Sequence, residues 1–157
     1  MTTTDRTRQA PGTALTEATR DVALLVARVG LGVIMLAHAE LEYDFGGSLA
    51  GVGRLFAEAG IPLATLTGPA NVLLELVGGI AMILGAAVRV IGVLMALNMA
   101  GAWVFVHTSG LFAMDHNGPE LIIVIGLLSL VLAATGSGRL GLDQLVVRRR
   151  RAHGPHR

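Results

Sequence analysis

Four long apolar stretches, each carrying two or three polar residues, organise this chain. They run from about Val22 to Ala39, Ala70 to Ala87, Val88 to His107 and Pro119 to Ala134. Each approaches the roughly 20 apolar residues that a helix needs to cross the hydrocarbon of a bilayer. A segment in lipid must satisfy its own backbone hydrogen bonds. The predicted fold is therefore all-α, an integral membrane four-helix bundle. Only Arg89 separates the second and third stretches, which predicts a tight helical hairpin. Pro119 suits the first turn of the fourth helix.

Between the first two spans, Ser48 to Ala59 places Leu49, Val52, Phe56 and Ala59 on one helical face. Gly60 follows as a C-cap and Pro62 as a stop. This predicts a short amphipathic helix at the membrane surface. The rest divides into a polar, flexible leader (1–20), the bundle (21–143) and a basic tail (144–157). Ala37-His38-Ala39 has the small-x-small form of a signal-peptide cleavage site. Arg28 interrupts the preceding apolar run, which favours a retained span.

Composition points the same way. Of 157 residues, 53% are hydrophobic and 15% charged, and the mean hydropathy is +0.67. A soluble domain carries about 25% charged residues. The apolar total suffices for four spans and excludes a large soluble catalytic domain. The net charge of +1 supplies no general field for nucleic acid. With no cysteine, the chain cannot supply an iron–sulfur cluster or a dithiol centre. A redox role would need a partner protein or a bound small molecule.

Arginine placement predicts orientation. Arg6, Arg8, Arg20, Arg89, Arg139 and Arg148 to Arg151 fall on one side of the four-span topology, and the opposite connections hold only Arg54. The positive-inside rule then places both termini in the cytoplasm. The run Arg148, Arg149, Arg150 and Arg151 fits a topology anchor against anionic lipid headgroups.

Polar residues within the spans are the candidate chemistry. Placing a charge in lipid costs roughly 2.5–3.5 kcal/mol on the insertion scale, so such groups face the bundle interior. Arg28 and Glu75 are expected to meet as a buried ion pair, either fixing helix register or handling a proton or ligand. His38, Asn71, His107 and Glu120, with Glu40, Asp115 and His116 nearby, fall at the outer rim. They read as a wet surface or as a pocket for a quinone headgroup, where imidazole and carboxyl groups suit proton chemistry. No His-x-x-x-His spacing places two ligands on one helix face, and no metal site is assigned. Gly92, Ala96 and Ala100, like Ala81 and Gly85, form small-residue stripes for helix contact within the bundle or with a second copy. Trp103 fits an interfacial belt.

The ordered set of these features resembles the DoxX family of small four-helix bacterial membrane proteins over about residues 22–143. The resemblance rests on Arg28 before Leu31-Gly32, on His38 at the end of the first helix, and on Glu75 followed by Gly78-Gly79, Leu84-Gly85 and Arg89. It extends to Glu120, to Gly136-Ser137-Gly138 and to Gly141-Leu142-Asp143. In the family the first helix ends His-Gly-x-x-Lys; here Ala39 and Glu42 replace Gly and Lys, which reverses the local charge. The resemblance implies a bacterial plasma-membrane subunit of a quinone-linked oxidoreductase or respiratory complex, with a role in oxidative-stress defence. Its partners would be lipid and other redox proteins. A non-catalytic assembly subunit is the alternative, and a small-solute transporter ranks behind both.

Overall fold

The computed structural model describes residues 11–111 and 118–145. Among them every regular element is a helix: α1 (Pro11–Gly46), α2 (Leu49–Glu58), α3 (Ala64–Leu84), α4 (Val88–Phe105) and α5 (Glu120–Thr135). The Leu15–Gly46 part of α1, α3 and α4 are each long and apolar enough to cross a membrane; α5 is apolar and shorter.

α1 is longer than expected at both ends. At 36 residues it rises about 54 Å, well beyond a hydrocarbon core of about 30 Å. Residues 11–20, expected in a flexible leader, are its first turns; Arg6 and Arg8 lie outside the described residues. The extension is tied down by Arg139, whose guanidinium bonds Glu17 at 3.1 Å and whose backbone N–H donates to Asp21 at 3.0 Å. At the far end, Glu40, Glu42 and Asp44 ride on the last turns of α1 rather than in a loop. Gly47 then adopts φ +64° and stops the helix, its N–H donating to the Tyr43 carbonyl.

α2 forms where the amphipathic pattern placed it. The Ser48 hydroxyl accepts from the Gly51 N–H at 3.0 Å, satisfying one orphan donor of the first turn. Its inner side is buried and packs onto the bundle, with Val52 joining Ala39, Val72 and Phe56 in a small apolar cluster.

Close approach sets the helix pairs. Gly32 of α1 lies against the Gly79 carbonyl and Ile83 of α3, and Gly92 of α4 against the Ser129 carbonyl of α5. A Cβ at either glycine would strike backbone. These antiparallel contacts enclose the main core of Leu31, Met35, Met82, Met95, Ile125 and Leu132. Of the expected small-residue stripes, Gly92 packs inside the bundle, whereas Ala96, Ala100 and half-exposed Trp103 border an outward-facing apolar groove between α4 and α5. Gly85, at φ +71°, is the α3 C-cap.

The α3–α4 turn is secured from a distance. The Asp143 carboxylate accepts from the Ala87 and Val88 N–H groups at 2.7 and 3.1 Å and so caps the start of α4. Arg89 in turn donates to the Ala133 and Ala134 carbonyls at the end of α5. The Gly141-Leu142-Asp143 element thus has a structural use.

Candidate functional site

A cavity of about 360 Å³ lies between α3 and α4, with Phe56 of α2 and Ile61 also in its wall. Ligand sites typically span about 300–1,000 Å³. Most of the wall is apolar, from Leu74, Leu97, Met99, Ala102, Phe105 and Val106. Its polar members are Glu42 from α1, Thr67, Asn71 and Glu75 from α3, Asn98 from α4, and His107 just beyond α4. Among the described residues no Arg or Lys lines it.

Helix periodicity brings these groups together. On α1, Arg28, Met35 and Glu42 recur every seven residues, so Glu42 continues the inward stripe. On α3, Asn71 and Glu75 are one turn apart on the buried face. Asn71 Nδ2 donates to Glu42 Oε2 at 2.7 Å, and Asn98 Nδ2 donates to Glu75 Oε1 at 3.3 Å. Three helices are therefore joined through two carboxyl–carboxamide contacts. Glu75 is 3% exposed, and its Oε2 has no hydrogen-bond partner; His107 Nδ1 is likewise buried and unpartnered. An ionisable side chain at such a depth is costly and is by default a functional-site candidate.

The expected Arg28–Glu75 pair does not form. Arg28 is fully buried, but its Nη1 donates to the Met82 carbonyl at 3.3 Å, near the α3–α4 turn. Met82 lies seven residues beyond Glu75, about 10 Å along the helix. The reason is directional: side chains lean toward the N-terminus of their own helix. The N-terminus of α1 points away from Glu75, so the Arg28 stem carries its charge to the last carbonyls of α3. Burial disfavours the charge there, and the negative end of the helix dipole and the Asp143 carboxylate offset part of that cost.

The expected rim pocket is partly assembled. Asn71 and His107 line the cavity with Glu75. His38 stands close enough to His107 for mutual electrostatic influence, yet it is not part of the cavity wall. Glu120, at the start of α5, is not part of that wall either. Asp115, His116 and Arg148 to Arg151 lie outside the described residues. Sequence reading missed Glu42, because the chain after Ala39 reads as a loop, and left Asn98 out of the site. Continuing the α1 stripe by one heptad would have found the first.

Comparison with known proteins bears on what this arrangement serves. The DoxX family model matches residues 23–108, the stretch carrying His38, Glu42, Asn71, Glu75, Asn98 and His107. A Bacillus subtilis protein named "Putative oxidoreductase CatD" is 30% identical over 126 residues, covering 80% of this chain and 88% of the relative. A Mycobacterium tuberculosis protein, "Uncharacterized membrane protein Rv3486", is 28% identical over 84% of this chain and 86% of its own length. A Haemophilus influenzae protein of unassigned role is 29% identical over 81% and 92%. No solved structure matches the chain.

Proposed function

This chain belongs to the DoxX family of membrane proteins, and on that premise we propose that it is the membrane subunit of a quinone-linked oxidoreductase acting in oxidative-stress defence. Its α3–α4 cavity would bind the quinone headgroup. The observation that carries this reading is the Glu75 carboxyl, buried at the cavity wall with one oxygen unpartnered. A ring with an oxygen on each side matches the site's chemistry: Glu75 and Asn98 lie at one level, with Asn71 one turn away and His107 just beyond α4, within an otherwise apolar wall. The related protein named as an oxidoreductase is consistent with it.

In this reading α5 completes a four-span bundle in a bacterial plasma membrane, with both termini cytoplasmic as the arginine bias favours. The cavity then lies toward the outer half of the bilayer. With no cysteine in the chain, electrons would be exchanged with a partner protein. This subunit would hold the ring, exclude water from it and present Glu75 and His107 to its oxygens.

The test is solvent extraction of the protein purified in a mild detergent. The expected result is close to one quinone per chain for the wild type and up to about tenfold less for Glu75→Gln, the loss expected from weakening one hydrogen bond worth about 0.5–1.5 kcal/mol. Wild-type protein carrying no quinone above the detergent background would refute the reading. Co-purified redox subunits in that case would favour the assembly-subunit alternative.

A further inference from the structure

Nothing in the packing of α4 requires glycine at position 101. Its φ is not positive, and an ideal Cβ there meets no atom within 4 Å. The bundle-facing glycines differ: a Cβ at Gly78 would meet Met95, one at Gly79 the Gly32 carbonyl, and one at Gly92 the Ser129 carbonyl. Glycine inside a helix is disfavoured relative to alanine, because it loses more backbone freedom on ordering. Gly30 also has open space around it, but it is exposed on the outer face of α1. Gly101 instead lines the α3–α4 cavity, on the same helix face as Asn98 and Phe105.

We propose that Gly101 leaves the α4 backbone bare so that the flat ring of a lipid-borne ligand can lie across it. The ring's polar edge reaches Glu75 and Asn98, and its tail leaves toward lipid between Ala70 and Leu97, two exposed members of the wall. The proposal rests on the quinone reading and deepens it by naming the residue that sets ligand shape and orientation. A methyl group at position 101 would touch no protein atom, so it would narrow the site while sparing the fold. An isobutyl group would reach further from the stretch of α4 backbone that lines the cavity.

The experiment measures saturable binding of a tritiated decyl-benzoquinone to the full-length protein in lipid nanodiscs, with thermal unfolding recorded on the same samples. Gly101→Ala and Gly101→Leu are compared with Gly30→Ala and Gly30→Leu. The expected result is graded: Gly101→Ala weakens binding several-fold, and Gly101→Leu weakens it about tenfold or more, equivalent to about 1.4 kcal/mol. The Gly30 variants bind as wild type, and Gly101→Ala unfolds at or above the wild-type temperature. Wild-type affinity in Gly101→Leu would overturn the inference and leave the quinone reading standing. Absence of saturable binding in the wild type would overturn both. If Gly101→Leu does not fold, Gly101→Ala against Gly30→Ala decides: equal affinities overturn the inference.

Discussion

Replacing Arg28 with leucine tests which partner this buried cation serves. Two opposing effects set the stability change. Leucine removes a charge-assisted bond to the Met82 carbonyl, a class worth about 1.5–3 kcal/mol. It also removes Nε and Nη2, which are buried without partners, and each such unsatisfied donor costs about 1–3 kcal/mol. The two orphan donors together outweigh the single bond, so the net change in Arg28→Leu runs from about 1 kcal/mol less stable to about 4.5 kcal/mol more stable. The informative quantity is the coupling between sites. Arg28 and Asp143 attract each other across the α3–α4 turn, so Arg28→Leu and Asp143→Asn should couple by about 1 kcal/mol. Arg28 and Glu75 share no hydrogen-bond partner, and their anchor points stand about 10 Å apart along α3. Arg28→Leu and Glu75→Leu should therefore add within about 0.5 kcal/mol. The assay is reversible unfolding in mixed micelles, followed by loss of helical circular dichroism as the denaturing detergent fraction rises. Coupling above about 1 kcal/mol between positions 28 and 75 would refute the geometry described for Arg28.

Further outcomes follow from the same contacts. Asp143→Ala removes the cap on Ala87 and Val88 and should cost about 1–2 kcal/mol in the same unfolding assay. Gly32→Val drives a side chain into the Gly79 carbonyl and Ile83, so it should destabilise by at least about 1–3 kcal/mol, the usual range for overpacking. Asn98→Ala withdraws the amide that holds Glu75 Oε1 and leaves that buried oxygen unpartnered; measured quinone affinity should fall, and stability should drop by about 1–3 kcal/mol in the unfolding assay. Reporter fusions after residue 110 and at the C-terminus should report opposite sides of the membrane, and the same side for both would remove the four-span topology.

The span-forming helices were legible because burial in lipid demands long apolar runs, and α2 because its cap, stripe and stop coincide. The ends of α1 were less legible. Glu17, Asp21, Glu40 and Asp44 look like loop residues, yet α1 projects beyond the hydrocarbon, where charged side chains sit on a continuing helix at little cost. Glu75 was legible as a lone carboxyl in an apolar stretch. Its partner was not, because residue depth alone ignores the direction in which a side chain leans from its helix. That omission produced the expected Arg28–Glu75 pair. Asp143 as the cap of α4, 55 residues away from Val88, has no local signature at all. Gly101 is equally silent in sequence, where it looks like any other small residue of a packed helix.

The central claim is that the lipid-borne ligand sits between α3 and α4. Photolabelling with an azido-quinone in native membranes, followed by peptide mapping, locates it directly. The account predicts covalent label on α3 at residues 70–75 together with α4 at 97–102, and its loss in Glu75→Gln. Label on α5 at residues 122–130, in the apolar groove beside Trp103, with α3 unlabelled, would contradict it.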